Sequence, residues 1–544
     1  MKAVVNGEAP ASPPWSVDPG ESGPPPALGD LLAAPARRWP ERTAIDDGDT
    51  GFTFAQLERG ARAVAAWLAG QGVGAGDRVA VLAEKRAVTP LLAVAIWKCG
   101  GVYVPLDAAE PAARLQGLLT RLRPAVVITP DERDPGVAAG RLGAARLAEI
   151  LTGPAADHAT VAHHPDQAAY IVFASSPAGE PQGVEISPAS LFACFHSHNE
   201  VLRVTPDSRV LGLAPFHVDV SFLDTLLPLS LGAFVHQFRG LPAGPVIRAV
   251  LGRERVTHLI AVSLLLTMIT GDGRQLTRAK LPALQVVLTG AEVCDPGVLA
   301  KWKRQLPETR VVHAFGPPEA TVFCLTYEVG SADADRTTAY PIGKPLRGMV
   351  AKIVRDGVEV HEPGAQGELW VGGDQVMRGY FDHPGETARL VTEVAGTRYF
   401  RTGDICSRDP DGDLVFHRHD DPEIVWLMGR RTHLAEIRRV ALGCPGVEQA
   451  AVAVVPRGGR AVVALVVVAR ERRAVADVEA HLAELPPYLR PAVIGWSPAA
   501  EPGDLAGRLA AAASRSNSAR FVLAADGAAE PFEPEPADKG EPCP

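Results

Sequence analysis

The stretch YIVFASSPAGEPQGVEIS, residues 170–187, joins two short apolar runs through a loop of small and turn-forming residues. This order predicts a strand, a loop and a second strand, the form that a phosphate-binding loop takes in many α/β proteins. Such loops hold an anion with hydroxyls, backbone N–H groups and a cation. This one contains no lysine or arginine, and Glu180 adds negative charge. The stretch therefore has the shape of a phosphate-binding loop with much of its chemistry removed.

On both sides of this loop, short apolar runs alternate with helical patterns. A helix is predicted over residues 88–100, and the strand-like runs are RVAVLAE (78–84), AVVIT (125–129), ALQVVLTG (283–290) and RVVHAFG (310–316). Alternation of this kind predicts βαβ units. We expect an α/β fold in which mixed or parallel sheets are covered by helices.

Composition divides the 544 residues into segments. Residues 1–26 and 514–544 are rich in Pro, Gly, Ala and acidic residues, which predicts flexible tails. Near 418–421 the apolar pattern gives way to charges, and a smaller βα pattern follows. We expect a large N-terminal domain over 27–417, a hinge, and a small α+β C-terminal domain over 418–513. The alternative is that the charge cluster is the solvated tip of a hairpin.

The net charge of −9 and the pI near 6.0 provide no basic stripe for nucleic acid. Seven cysteines without CxxC spacing argue against a disulfide framework and against a zinc site, which favours a reducing cytoplasm. The first residues lack an apolar signal core, and no apolar run is long enough to cross a bilayer. We expect a cytoplasmic protein without membrane or nucleic-acid partners.

Seven motifs stand in a fixed order along the chain. They are FTFAQL (52–57), WKCGGVYVPLDAAEPAARL (97–115), the loop at 170–187, FHVDVSFLD (216–224), VVHAFGPPEATV (311–322), GELWVGGDQVMRGYF (367–381) and YFRTGD (399–404). Over about residues 28–509 the chain resembles the acyl- and aminoacyl-adenylating superfamily, and most closely the amino-acid adenylation domains of nonribosomal peptide synthetases. The resemblance implies a reaction in which a carboxylate attacks the α-phosphate of ATP, often followed by transfer to a carrier thiol.

The family's phosphate loop has the form TSGSTGxPKG, which matches residues 174–183 here. Two hydroxyl positions are Ala174 and Ala178, the lysine is Gln182, and Pro177 lacks a backbone donor. Ser175 and Gly179 are the matching contacts that remain. We therefore expect weakened triphosphate binding; the alternative is that the loop is only a turn between strands.

The resemblance assigns four further nucleotide contacts. Asp404 matches the ribose-binding aspartate, Glu319 the carboxylate that helps to hold Mg²⁺, Phe315 the aromatic residue stacked on adenine, and Arg418 a ribose-contacting arginine. ATP or AMP and Mg²⁺ are therefore the implied cofactors, with weakened binding. Taken alone, these residues would be a turn aspartate, a solvated or helix-capping glutamate and a surface arginine.

Family members also carry a catalytic lysine in the C-terminal domain. No lysine lies between Lys352 and Lys539 in this sequence, and the lysine position aligns with Asp504 or is deleted. Arg508 is the only nearby cation that could replace it, and an ordinary surface arginine is the alternative. The motif VWLMGRRTHLAEIR (425–438), after the hinge, also departs from the family pattern.

The implied amino-acid pocket is better preserved. Asp219 matches the carboxylate that pairs with the substrate's ammonium group. The other matching positions form an aliphatic lining: Val220, Leu223, Leu264, Leu288, Gly290, Ala314, Val322 and Phe323. This set predicts a branched aliphatic amino acid such as valine, leucine or isoleucine. The alternative is that these residues are core and nothing more.

Three hypotheses follow. The chain is a stand-alone adenylation-like protein that binds an aliphatic amino acid but has impaired or lost adenylation; or it is an active divergent ligase; or it acts without ATP on a carrier-bound aminoacyl group. No carrier segment with a phosphopantetheine-type serine motif is visible. We therefore expect any carrier protein or peptide synthetase to be a separate partner.

Overall fold

The computed structural model describes residues 27–129, 134, 136–164, 166–176, 179–292, 294–427, 430–457, 460–471, 474–498, 505–515, 519–523 and 529–531. The predicted N-terminal tail, residues 1–26, lies outside this range. The described chain divides into two compact units. The first takes in the described residues of Met1–Ala108, Leu122–Val172 and Gly183–Asp420; the second those of Ala109–Arg121, Phe173–Gln182 and Asp421–Pro544.

Side-chain caps begin several of the helices. Thr53 caps the second helix in a reciprocal capping box with Gln56, and Ser187 caps the sixth. The α-helices are α1 (Ala33–Arg38), α2 (Phe54–Gly70), α3 (Thr89–Lys98), α4 (Ala112–Leu122), α5 (Ala144–Thr152), α6 (Pro188–Leu202), α7 (Leu227–Ser230), α8 (Gly244–Arg253), α9 (Ser263–Thr270), α10 (Pro296–Gln305), α11 (Pro384–Leu390), α12 (Ala435–Leu442), α13 (Ala474–Leu482) and α14 (Leu505–Arg515).

The strands follow the apolar runs of the sequence. They are β1 (Thr43–Asp46), β2 (Gly51–Thr53), β3 (Arg78–Ala83), β4 (Val102–Asp107), β5 (Val126–Ile128), β6 (Gly140–Leu142), β7 (Tyr170–Ala174), β8 (Gln182–Ile186), β9 (Arg209–Gly212), β10 (Phe234–Gln237), β11 (His258–Val262), β12 (Val286–Gly290), β13 (Arg310–Phe315), β14 (Leu325–Glu328), β15 (Lys344–Pro345), β16 (Met349–Arg355), β17 (Val358–Glu359), β18 (Gly367–Gly373), β19 (Gly379–Tyr380), β20 (Val391–Val394), β21 (Thr397–Arg408), β22 (Leu414–His419), β23 (Ile424–Leu427), β24 (Arg430–His433), β25 (Val447–Arg457), β26 (Arg460–Ala469), β27 (Val493–Ser497), β28 (Arg520–Leu523) and β29 (Ala529–Pro531).

Three sheets organise most of the chain. The nine-stranded sheet has the order β15-β14-β13-β12-β11-β9-β10-β1-β2, and the seven-stranded sheet has the order β19-β8-β7-β4-β3-β5-β6. A six-stranded sheet runs β17-β16-β18-β21-β20, with β22 paired to β21. In the first sheet β9, β11, β12 and β13 are parallel neighbours, so their carboxyl ends meet at one edge. The predicted α/β class with mixed sheets is confirmed.

The C-terminal segment of the second unit forms a five-stranded sheet, β25-β26-β27-β28-β29. Its last strands correct the predicted tail over 514–544, because β28 and β29 lie inside that range. Phe521 and Leu523 of β28 are buried in one core cluster with Leu509 of α14. The composition of the whole segment did not indicate this burial, because few of its residues are large and apolar. The rest of the predicted tail lies outside the described residues.

The unit boundary after Asp420 falls within the stretch where the sequence predicted a hinge. The division differs from the expected domains in two segments, residues 109–121 and 173–182, which cluster with the C-terminal segment. Among the described residues, no helix is both long and apolar enough to span a membrane.

Candidate functional site

The predicted amino-acid pocket lies where three parallel strands end. Leu264 follows β11, Gly290 is the last residue of β12, and Ala314 and Phe315 end β13. The carboxyl-end edge of parallel strands is the usual ligand edge of an open α/β sheet. Leu264 is half-buried, and the other members of the predicted lining are buried: Val220, Leu223, Leu288, Gly290, Ala314, Val322 and Phe323.

Gly290 allows a close approach of the neighbouring strand. A Cβ atom at this position would lie 2.3 Å from the carbonyl oxygen of Ala314 and 2.8 Å from Cε1 of Phe323. Both distances are too short for a real side chain. Glycine is therefore required for β12, β13 and the Phe323 ring to pack together at the predicted pocket.

Asp219 is a buried carboxylate with one unused oxygen. The residue is 8% exposed, and its Oδ2 atom forms no hydrogen bond with any described residue. Burial raises the pKa of Asp219 to about 6; backbone hydrogen bonds from Val220 and Val322 oppose this shift, and the charge of Glu319 adds to it. These contacts bring Asp219, Val322 and Glu319 together.

Two further buried polar groups near Asp219 were not identified from the sequence. Tyr170 stacks on Phe222 with ring centroids 4.3 Å apart, and its hydroxyl has no hydrogen-bond partner among the described residues. Burial, and then the charge of Asp219, raise the pKa of Tyr170 well above its usual value. A tyrosine in an apolar run gives no sequence signal of such a position.

His198 of α6 is the second such group. Its Nδ1 lies 2.7 Å from the carbonyl oxygen of Cys194, so Nδ1 carries the proton and Nε2 is left as an acceptor. Nε2 has no partner within the described structure, and burial lowers the pKa of His198 to about 4. The ring lies 6.2 Å from that of Phe323, beside the predicted lining.

Glu319, the predicted Mg²⁺ ligand, lies in the short 3-10 turn Pro318–Ala320 and is 1% exposed. The Tyr380 hydroxyl donates to its Oε1 at 2.7 Å. The described residues contain no group of three or more His, Cys, Asp or Glu side chains that could hold a metal ion. Mg²⁺ held by one carboxylate and by phosphate oxygens needs no such group. The role of Glu319 as a ligand therefore stays a prediction.

Asp404 and Arg418 lie on adjacent strands of the six-stranded sheet. Asp404 of β21 is 8% exposed and pairs across the ladder with His419, while Ile405 pairs with Arg418. The Arg418 side chain is 60% exposed and lies 3.2 Å from Asp420. The two predicted ribose contacts are thus close in the sheet, but Arg418 is oriented toward a neighbouring carboxylate on the surface.

The phosphate loop directs its described donors to partners within the protein. The Ser176 hydroxyl donates to the Glu180 carbonyl at 2.8 Å, and the Gly179 N–H donates to the Ser176 carbonyl at 3.0 Å. Ser175 is half-buried beside them. Pro177 and Ala178 lie outside the described residues.

Two arginines of the second unit contact this loop. The Glu180 carboxylate lies 3.6 Å from Arg121 of α4 and 3.6 Å from Arg439 of α12. Arg439 Nε also donates to the Gly179 carbonyl at 3.2 Å, and Arg121 donates to the Pro181 carbonyl. The Ser176 hydroxyl and the Gly179 N–H are thus bonded within the loop, and the two arginines that reach it are paired with Glu180.

Arg508, the proposed replacement for the C-terminal lysine, lies on α14 and is half-buried. The alternative lysine position, Asp504, lies outside the described residues. Sequence reasoning did not identify Arg121 or Arg439, the cations that do reach the loop. No sequence pattern pairs them with Glu180, because Arg439 lies more than 250 residues further along the chain.

Comparison with known proteins identifies the family of the chain. The chain is 31% identical over 467 residues to phenyloxazoline synthase MbtB of Mycolicibacterium paratuberculosis (85% of this chain, 39% of that protein). It is 29% identical over 461 residues to the nonribosomal peptide synthetase ivoA of Emericella nidulans (83% and 26%). The solved structure of holo-PA1221, an NRPS protein containing adenylation and PCP domains, shares the fold (TM-score 0.78, 24% identity, 90% of this chain and 83% of that one).

The chain spans less than half the length of the first curated relatives it matches. The family model described as AMP-binding enzyme matches residues 32–381, well over half of the chain. The protein therefore belongs to the AMP-binding enzyme family and, within it, is similar to the adenylation domains of nonribosomal peptide synthetases.

Proposed function

We propose that the chain binds an α-amino acid with an aliphatic side chain and that its ATP-dependent adenylation activity is impaired. The observation that supports binding is the unused, buried Oδ2 atom of Asp219. A buried carboxylate without a charged partner costs free energy, and an ammonium group placed against it offsets that cost. The substrate's α-ammonium is such a group.

The surroundings of Asp219 support an aliphatic side chain. The predicted lining is apolar, and the close approach of Phe323 to Gly290 limits the space beside β12. Branched aliphatic residues gain the most from burial in such surroundings, since each buried methylene is worth about 0.8 kcal/mol. Valine, leucine and isoleucine are therefore the proposed ligands.

The state of the phosphate loop supports impairment. Glu180 adds negative charge where the polyphosphate would lie, and its partners Arg121 and Arg439 are already used. Charge-assisted contacts to phosphate are worth on the order of 1.5 to 3 kcal/mol each, so their loss weakens ATP binding severely. We place the protein in nonribosomal-peptide-type metabolism, with any carrier protein as a separate partner.

Calorimetric titration with L-valine, L-leucine and L-isoleucine tests the amino-acid site. We expect wild type to bind at least one of them, and the Asp219→Asn variant to bind it roughly 10- to 100-fold more weakly. Asp157→Asn, which changes a carboxylate whose side chain is 88% exposed, is the matched control and leaves binding unchanged. Equal binding by Asp219→Asn, or no binding by wild type, contradicts the proposal.

A second candidate, an active divergent ligase that loads a separate carrier protein, is favoured by one observation. Arg121 and Arg439 bring two cations to a loop that has lost its lysine. ATP–pyrophosphate exchange separates the two candidates. Exchange by wild type that disappears in Arg439→Ala supports the ligase. Absence of exchange in wild type, with a gain in Glu180→Gln or Gln182→Lys, supports impairment.

A further inference from the structure

A second cavity opens at the opposite edge of the nine-stranded sheet, where β9, β12 and β13 begin. Its volume is about 660 Å³, and it is lined by Arg203, Arg209, Arg255, Arg278 and Arg310. Only two carboxylates, those of Asp207 and Glu308, belong to the lining. We propose that this arginine cavity binds a small soluble polyanion that carries two or more phosphate groups.

Two of the arginines occupy backbone conformations that favour glycine. Arg203 follows α6 with φ 58°, and Arg255 follows α8 with φ 52°. A residue with a Cβ atom is strained in this left-handed region, and glycine is the usual residue after a helix. Neither guanidinium forms a hydrogen bond or an ion pair with another described residue. Both therefore remain available to a ligand in the cavity.

The other three arginines are held in place by oxygen atoms of the protein. Arg310 donates to the Val201 carbonyl at 2.6 Å and forms two hydrogen bonds with Glu328. Arg278 donates to the Leu284 carbonyl at 2.7 Å, and Arg209 donates to the Glu254 carbonyl at 2.5 Å. These contacts fix the guanidinium planes, so the cavity has a preorganised wall.

Carboxylates compensate three of the five arginines: Glu254 lies 3.5 Å from Arg209, Glu308 3.9 Å from Arg278 and Glu328 2.7 Å from Arg310. The charges of Arg203 and Arg255 are not compensated in this way. Burial lowers the pKa of Arg209, and the charges of Arg255 and Arg42 lower it further, against the opposing effects of Glu254 and Asp46. Arg42 lines an adjoining cavity that shares Asp207 and Arg209 with the first. An anion in the arginine cavity would reduce this repulsion.

The chemistry of the lining selects the class of anion. Arginine presents a planar fork of N–H donors that matches phosphate oxygens two at a time, and several guanidiniums together suit a ligand with several phosphates. The volume lies in the range of sites for small molecules, about 300 to 1,000 Å³, and exceeds the needs of one phosphate ion. A free polyphosphate and a phosphorylated metabolite share this chemistry.

The proposal does not depend on the amino-acid pocket. The arginine cavity lies at the amino ends of the parallel strands, whereas the candidate site lies at their carboxyl ends. Failure of either proposal therefore leaves the other intact.

The test uses calorimetric titration of the full chain with sodium tripolyphosphate at low ionic strength. The variant is the double substitution Arg203→Gly, Arg255→Gly, which removes both available guanidiniums and suits the left-handed backbone. The matched control is Arg123→Gly, which changes an exposed arginine with φ 49° outside the cavity. A thermal melt of each variant shows that folding is retained.

We expect wild type and Arg123→Gly to bind tripolyphosphate equally, the double variant to bind it roughly tenfold or more weakly, and added salt to weaken all binding. Citrate, a polyanion without phosphate, and phosphorylated metabolites such as sugar bisphosphates form the comparison arms. Tighter binding of a bisphosphate than of tripolyphosphate identifies a metabolite as the ligand. No binding by wild type, unchanged binding by the double variant, or equal binding of citrate overturns the proposal.

Discussion

At the scale of single residues, burial of the Asp219 carboxylate raises its pKa and so favours the binding of a proton or a cationic ligand. Its backbone hydrogen bonds stabilise the ionised form only in part, so the proton is held more tightly than in water. A cationic ligand and a proton therefore compete for the same oxygen atoms. This competition makes both stability and binding depend on pH, with opposite signs.

We predict that the free energy of unfolding of the ligand-free protein contains a contribution from Asp219 that falls as pH rises from about 4 to about 6. The pKa of Asp219 is raised from 3.8 in the unfolded chain to about 6 in the folded one, so the folded state binds the proton more tightly in this interval. The contribution is on the order of 3 kcal/mol. Urea unfolding of wild type and Asp219→Asn across this range measures it as a difference.

Amino-acid affinity in the same interval is expected to rise with pH, because the ionised carboxylate binds the ammonium. A stability difference between the two proteins that does not change with pH would contradict the raised pKa.

Gly290→Ala is predicted to destabilise the first unit by about 1 to 3 kcal/mol, because the new Cβ would overlap the Ala314 carbonyl. Urea unfolding measures the change. Gly117→Ala in α4 is the control, since a Cβ there meets no atom within 4 Å. Alanine loses less conformational entropy than glycine when a helix forms, so that variant should be more stable than wild type by about 0.5 to 1 kcal/mol. Equal stability of Gly290→Ala and wild type would mean that β12 and β13 can separate without cost.

At the scale of elements, α4 and α12 are joined by a buried ion pair within the second unit. The side chains of Arg114 and Glu436 are 13% and 1% exposed, and Glu110 lies 3.0 Å from the same guanidinium. Burial raises the pKa of Glu436, and Arg114 opposes that rise. Each charge thus offsets part of the cost of burying the other.

Arg114→Met is predicted to destabilise the protein by on the order of 3 to 5 kcal/mol, because it leaves Glu436 buried without its partner. Denaturant unfolding at neutral pH measures the loss. Arg146→Ala removes a pair whose side chains are 58% and 65% exposed, and it should cost less than about 1 kcal/mol. A similar loss of unfolding free energy in the two variants would contradict the prediction, because it would mean that water solvates the Arg114–Glu436 pair.

The elements also show what the sequence could and could not predict. β3, β12 and β13 begin and end within about three residues of their predicted limits, because continuous apolar runs mark buried strands. β28 was not predicted, because its four residues are too few to show the alternating or continuous apolar pattern of a strand. The resemblance singled out Asp219 and Glu319, which the structure places close together, and their roles stay predictions. The unpaired polar atoms of Tyr170 and His198 depend on packing that no local pattern encodes.

At the scale of the whole molecule, the cysteines are distributed through the cores of the structure. Cys99, Cys194, Cys294, Cys324, Cys406 and Cys444 are free and buried. Burial raises the pKa of Cys99 and Cys444 to about 11 and that of Cys294 to about 12, and it also raises the pKa of Cys194, Cys324 and Cys406. Thiolates are the reactive form, so we expect these six thiols to react slowly in the folded protein.

We predict that a Cys543→Ser variant, which removes the cysteine outside the described residues, shows no rapidly reacting thiol in its native state. In denaturant the same sample should expose the six remaining cysteines. Titration with a chromogenic disulfide reagent measures both numbers. A fast-reacting native thiol would mean that one of the cores opens on the time scale of the reaction.

The composition of the second unit also bears on how the chain is made. Residues 109–121 and 173–182 leave the ribosome before their partners from Asp421 onward, and about 240 residues separate Gln182 from Asp421. At about 5 to 20 residues per second this is a delay of roughly 10 to 50 s. During that delay Arg114 and Glu180 lack their α12 partners, Glu436 and Arg439. The second unit can therefore be completed only after all residues of the first unit have been synthesised.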